Sequence, residues 1–177
     1  MFNYHCTILC RMPYKLAMQY QEYISWALET RYRLVPYMRT LQLDWVTSGL
    51  GLVRPMFVQY PAMWGHGDQF MLGPDLVIAP VTQADQQLVR VSLPAGTWYD
   101  YYSGIQYYSP TEALQLSVPT KLYQLPVFIR GGSVLILYQA SSDHANRLSI
   151  QVFEQNLSSF YICKHKFRTM STKLNLK

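Results

Sequence analysis

The chain has 177 residues, half of them hydrophobic, 15% aromatic and 14% charged, a balance that excludes intrinsic disorder, collagen and coiled coil. Its formal net charge of +5 is not spread over a surface. The ten acidic residues are cancelled by ten basic ones before residue 161, and the whole excess falls on Lys164, Lys166, Arg168, Lys173 and Lys177.

That basic tail reads as a solvated end, and the neutral body gives no electrostatic case for a nucleic-acid partner. No run of about 18 uninterrupted apolar residues is present, so no membrane span is expected. Met1–Arg11 makes a poor signal peptide, because it lacks a basic start and His5 and Thr7 interrupt its apolar part. Cys6, Cys10 and Cys163 leave at least one thiol without an intrachain partner. His5, Cys6 and Cys10 offer three metal ligands without a fourth, so neither a metal nor a cofactor is expected. Asn156-Leu157-Ser158 is a glycosylation sequon, usable only on the secretory route.

From Lys15 the pattern is helical. Ile24, Ala27, Leu28, Leu34, Val35, Met38, Leu41 and Trp45 recur at spacings near three and four. Pro36 interrupts this stripe and predicts a kink near Arg33–Val35. Gly49 is placed to cap the helix in the left-handed conformation. Leu50–Val53 reads as a short strand that Arg54-Pro55 stops, Pro55 belonging at a strand end or an edge.

Beyond it the chain changes character. Met56–Tyr60, Gln69–Leu72, Leu76–Pro80, Leu88–Leu93, Thr97–Tyr101, Leu114–Val118, Val127–Arg130 and Val134–Tyr138 are short extended runs, many separated by turn residues. Val89, Val91 and Leu93 alternate with Arg90 and Ser92, and Leu114, Leu116 and Val118 with Gln115 and Ser117, as half-buried strands do. Leu148, Ile150 and Val152 open one more. The fold class is therefore mainly β, an antiparallel sandwich preceded by a long helix and a lone strand. A lone helix and strand need neighbours to cover them.

Five segments, in order, carry a resemblance. They are Arg31-Tyr32-Arg33-Leu34-Val35-Pro36-Tyr37-Met38, Val53-Arg54-Pro55-Met56-Phe57, Asp68 to Val81 (DQFMLGPDLVIAPV), Leu93 to Asp100 (LPAGTWYD), and Leu125 to Ser133 (LPVFIRGGS). The series resembles the C-terminal part of glycoside hydrolase family 31, the α-glucosidase and α-xylosidase family, over roughly Glu22 to Gln155. Met56–Pro61 resembles the glucosidase II branch, while Leu93–Asp100 also resembles bacterial α-glucosidases and α-xylosidases, so the branch stays open.

The resemblance implies a (β/α)8 barrel followed by a proximal and then a distal β-sandwich. Residues 1–14 are unmatched. Residues 15–54 would be the last helix and strand of a truncated barrel, 55–140 the proximal sandwich, and 141–177 the start of the distal domain with the basic tail. The chain departs from the family in the short segment between Pro61 and Asp68, at Leu52 where a proline is common, and at both ends. Together these suggest a fragment. The implied reaction of the parent is retaining hydrolysis of an α-glycosidic bond, which needs a carboxylate nucleophile and a carboxylic acid. The family's Asp-Met-Asn-Glu, Gly-Asp-Asn and Arg-Asn-His-Asn segments have no counterpart here, so the resemblance transfers no catalytic residue. The implied partners are an α-glucoside or oligosaccharide for the parent and a barrel docked on the bare helix face of Ile24, Leu28, Val35 and Met38.

Local acids were weighed against that absence. Asp68, Asp75, Asp85 and Asp100 lie in turns or loops, where aspartates bond nearby backbone amides. His66, in Trp64-Gly65-His66-Gly67, reads as an exposed loop residue, and Gly131-Gly132 as a strand bend and not a phosphate loop. Trp98, Tyr99, Tyr101, Tyr102, Tyr107 and Tyr108 form the densest aromatic cluster. Strand alternation favours a core role for them; the alternative, a non-catalytic carbohydrate-binding module, needs Trp98, Tyr101 and Tyr107 exposed on one face.

Overall fold

The computed structural model describes residues 16–83, 86–120, 124–138 and 148–152. Helix α1, Met18–Arg33, and helix α2, Val35–Ser48, meet at Leu34. The break falls where the sequence puts it. Pro36 sits in the first turn of α2, where its missing N–H costs nothing, and the Leu34 N–H bifurcates between the carbonyls of Thr30 and Arg31 at 3.3 and 3.2 Å. Gly49, at φ +73°, closes α2 by donating its N–H to the Trp45 carbonyl at 2.8 Å.

Because the axis breaks at Leu34, the expected single stripe divides. Tyr37 and Leu41 are buried and Leu34 and Met38 pack beside them, whereas Ala27, Leu28 and Trp45 are exposed. Val35 and Met38 are half-buried, so Met38 is already engaged by the chain's own core.

The lone strand is neither Leu50–Val53 nor alone. Strand β1 is Val53–Pro55, and it pairs antiparallel with β2, Phe70–Leu72. Pro55 is tolerated because β1 is the outermost strand of its sheet. Met56–Tyr60, expected to be extended, is instead the short helix α3, Met56–Gln59, followed by a 3-10 turn at Pro61–Met63. The reason is periodicity. Met56, Tyr60 and Met63 face the core while the adjacent Phe57 and Val58 are both exposed, a spacing that a strand cannot produce.

The remaining strands are β3 Leu76–Ile78, β4 Leu88–Leu93, β5 Gly96–Asp100, β6 Gln106–Ser109, β7 Leu114–Pro119, β8 Val127–Arg130, β9 Val134–Tyr138 and β10 Leu148–Val152. Strand β6 was not anticipated, since Gln-Tyr-Tyr-Ser shows no apolar alternation. A six-stranded antiparallel sheet runs β1-β2-β3-β8-β5-β6, and the pairs β4-β7 and β9-β10 form separate ribbons. Strand β10, read from the sequence as the opening of a further domain, pairs with β9 from Leu148 opposite Tyr138 to Val152 opposite Val134.

Two cores lie on the two faces of the central sheet. Leu76, Ile78, Val127 and Ile129 face one, with Tyr37 and Leu41 of α2 and Leu135 and Leu137 of β9. Val77, Phe128, Met71 and Trp98 face the other, with Val89, Val91 and Leu93 of β4. Strands β3 and β8 are thus covered on both sides, which is why they read as unbroken apolar runs and not as alternation. The mainly β, antiparallel expectation holds, with one face of the sheet covered by α2 and β9 and the other by the β4-β7 ribbon and α3.

Buried Gln69 clips the β4 ribbon to the sheet. Its Nε2 donates to the Ser92 carbonyl at 2.6 Å and its Oε1 accepts the Ser92 N–H at 2.8 Å. Ser92, expected on an open face, is buried for that reason.

The tightest point is Gly73, between β2 and β3, at φ +64°. A Cβ there would stand 2.5 Å from a Leu41 methyl and 2.6 Å from the Tyr37 hydroxyl. Gly73→Ala is expected to cost about 3 kcal/mol or more through clash and backbone strain, read as a lower urea midpoint at unchanged m. A variant as stable as the parent would mean that α2 is not held against this turn.

Candidate functional site

Asp75, Asp100 and Asp44 are taken up by the chain's own donors. Asp75 sits between α2 and two turns of the sheet. Its Oδ2 accepts the Tyr37 hydroxyl at 3.1 Å, its Oδ1 accepts the Ser133 hydroxyl at 2.7 Å, and its carbonyl accepts the Arg130 N–H at 2.8 Å. The Tyr37 hydroxyl also lies 3.0 Å from the Leu72 carbonyl, so one proton serves two acceptors. Burial, and then the neighbouring Asp75 carboxylate, push the Tyr37 phenol well above the ordinary tyrosine range.

Asp100 closes the turn after β5. Its Oδ1 accepts the Tyr102 and Ser103 N–H groups at 3.0 and 2.6 Å and the Ser103 hydroxyl at 2.8 Å. Asp68 is exposed on a loop. Asp85 lies outside the described residues. Asp44, on α2, pairs at 3.2 Å with Arg54, whose guanidinium is buried and also donates from Nε to the Gly51 carbonyl at 2.7 Å. A retaining glycosidase holds two carboxyls about 5 Å apart across a sugar cleft. Asp75, Asp100 and Asp44 instead tie helix to sheet, close a turn and brace an edge strand.

The aromatic cluster divides by strand alternation. Trp98 is 1% exposed, opposes Tyr107 across the β5-β6 pair, and donates its indole N–H to the Pro94 carbonyl at 2.8 Å. Tyr107 packs edge-on to Phe128. Tyr99 is buried on the opposite face, and half-buried Tyr101 and Tyr102 pack against that core, Tyr102 also meeting Trp26 of α1 at 5.2 Å. Tyr108 alone of the six is largely exposed, at 53%. Trp98, Tyr101 and Tyr107 therefore do not share an exposed face.

His66 is half-buried, its N–H donating to the Met63 carbonyl at 3.3 Å. Gly131 and Gly132 form the turn between β8 and β9, where the Gly131 N–H reaches the Thr97 carbonyl at 2.7 Å. His5, Cys6, Cys10, Cys163, the sequon and the basic tail lie outside the described residues. Among the described residues no cluster of three or more His, Cys, Asp or Glu is arranged to hold a metal ion, and no helix is long and apolar enough to cross a membrane.

Sequence reasoning missed Tyr37 and Gln69, the two polar groups that join layers. Their signal is weak, because a lone tyrosine on a helix or a glutamine beside a strand looks like ordinary surface. It also missed the exposed ring pair of Phe57 and Trp64, whose centroids are 4.6 Å apart.

Residues 49–135 match the glycosyl hydrolase family 31 C-terminal domain. The chain belongs to the C-terminal region of glycosyl hydrolase family 31. Neutral alpha-glucosidase AB of Mus musculus is 40% identical over 130 residues, which are 71% of this chain and 14% of that protein. Alpha-xylosidase of Saccharolobus solfataricus is 30% identical over 151 residues, 80% of this chain and 19% of that one. The crystal structure of a glucosidase II alpha subunit superposes with a TM-score of 0.73 at 26% identity, over 82% of this chain and 17% of that one. The chain thus spans less than a fifth of each of these relatives. The matched family 31 domain runs from the Gly49 cap of α2 into β9, and so takes in the six-stranded sheet and the β4-β7 ribbon.

The Tyr37 and Asp75 contact has a pH signature. A folded state that keeps this phenol protonated gains its full contribution below the unfolded tyrosine value of 10.0 and loses it as pH rises above that value. Tyr37→Phe should be less stable at neutral pH by about 1–2 kcal/mol, and its urea midpoint should fall less steeply than the parent's above pH 10. Burial raises Tyr60, Tyr101 and Tyr102 as well, so part of the slope remains. Parallel curves for the two proteins would remove Tyr37 from the account.

Proposed function

We propose that this chain is a C-terminal segment of an α-glucosidase-like glycoside hydrolase that braces a (β/α)8 catalytic barrel and does not itself cleave glycosides. The parent reaction is retaining hydrolysis of an α-glycosidic bond, with nucleophile and acid supplied from the barrel. The observation that carries the reading is the use of Asp75 and Asp100. Both lie in segments that resemble the family, and both are taken up by the chain's own hydroxyls and amides. Purified chain is expected to give no turnover of p-nitrophenyl α-glucoside or α-xyloside from acid to neutral pH. Turnover that co-purifies with the chain and disappears in Asp75→Asn or Asp100→Asn would overturn the reading.

The same proposal assigns α1 and α2 to the end of the barrel, β1 belonging to the six-stranded sheet, and gives the barrel a place to dock. Leu43 and Val46 are three residues apart on α2 and 72% and 82% exposed, and Trp45, Leu50 and Val53 are exposed as well. This replaces the face of Ile24, Leu28, Val35 and Met38, since Met38 already packs on the chain's own core. Apolar surface of this kind is characteristic of a protein contact. A separately expressed α-glucosidase barrel should retain the parent chain in a pull-down and lose the Leu43→Glu, Val46→Glu double variant. Equal retention of both would place the contact elsewhere.

A further inference from the structure

Phe57 and Trp64 are 38% and 76% exposed, and their ring planes are inclined by 50°. Each follows a methionine sunk in the second core, Met56 before Phe57 and Met63 before Trp64. The backbone beneath is fixed by the Tyr60 N–H on the Met56 carbonyl at 2.9 Å and the Met63 N–H on the Tyr60 carbonyl at 2.8 Å. The rings are therefore held out from a rigid base, so little ordering entropy is lost when something covers them.

The chain withdraws around Trp64. Added side chains at Gly65 or Gly67 would meet nothing within 4 Å. Polar residues stand close to each ring in sequence, half-buried Gln59 two after Phe57, half-buried His66 two after Trp64 and exposed Asp68 four after Trp64. Exposed aromatic faces with hydrogen-bonding residues nearby in sequence suit a pyranose, which has one apolar C–H face and a rim of hydroxyls. The inclination of the rings also discriminates. A β-1,4 glucan is a flat ribbon that suits coplanar plates, whereas an α-linked glucan turns from one unit to the next.

We propose that Phe57 and Trp64 form a stacking site for an α-linked glucan, with Gln59, His66 and Asp68 contacting its hydroxyls. The site rests on the reading that the parent handles α-glucosides, but it binds without catalysis. A chain that binds without turnover, or turns over without binding, therefore separates the two.

The test is a titration of the full chain with maltohexaose and with cellohexaose, following indole N–H signals by NMR. Trp64→Leu assigns the Trp64 signal, and the buried Trp98 signal reports that each variant stays folded. Maltohexaose should shift the Trp64 signal saturably in the millimolar range, cellohexaose should not, and Phe57→Ala should weaken binding by about tenfold. Three outcomes would overturn the proposal. These are no shift with maltohexaose, an equal response to cellohexaose, or sugar-independent shifts that track protein concentration and so mark a contact between copies of the chain.

Discussion

Besides the Asp44–Arg54 pair at the outermost strand, helix α2 meets the central sheet through a polar contact set inside an apolar seam. The Tyr37 hydroxyl, the Asp75 carboxylate and the Ser133 hydroxyl join the helix, the β2-β3 turn and the start of β9. Gly73 lets the helix come close enough for that contact to form. A buried carboxylate without donors would be a large penalty; here both oxygens have one. The apolar packing of Leu41, Leu76, Ile129 and Leu135 supplies most of the stability. The polar contact sets where along the sheet the helix rests, which apolar packing alone specifies poorly.

That contact also bears on function. An aspartate in a family 31 segment invites a catalytic interpretation, and Asp75 is half-buried between α2 and the sheet. Its surroundings fit a structural role, as the proposed function requires. A nucleophile must present a free carboxylate oxygen to the anomeric carbon, and a general acid must hold a proton for the leaving oxygen. Asp75 faces donors from its own fold on both oxygens. Asp100 likewise organises three donors of one turn around a single oxygen. The chemistry of the family and the architecture of its C-terminal domain thus draw on the same residue type for unrelated purposes.

Much of this architecture was legible in the sequence. Leu88–Leu93, Val127–Arg130 and Val134–Tyr138 coincide with strands β4, β8 and β9, because each is an apolar or alternating run bounded by turn residues. The helix break at Leu34 followed from Pro36, and the end of α2 from Gly49. Two of the failures share one cause, which is tertiary pairing that no local pattern records. Gln106–Ser109 becomes a strand because β5 offers it a ladder. Val53–Pro55 extends past the expected stop because Phe70–Leu72 pairs with it. Met56–Tyr60 was misread because methionine and tyrosine suit helix and strand alike, and only the burial of Met56, Tyr60 and Met63 shows the helical spacing. For the ring pair, sequence marks Trp64 as a loop residue but cannot show that Phe57 stands beside it.

The outermost strand has one more effect. A sheet margin normally offers a row of amide donors on which a second polypeptide can template itself, the first step toward fibrils. Strand β1 has only three residues, and the last of them, Pro55, has no amide hydrogen to offer. The row of free donors on this side is therefore short and ends at a ring that can give none, which discourages lateral growth.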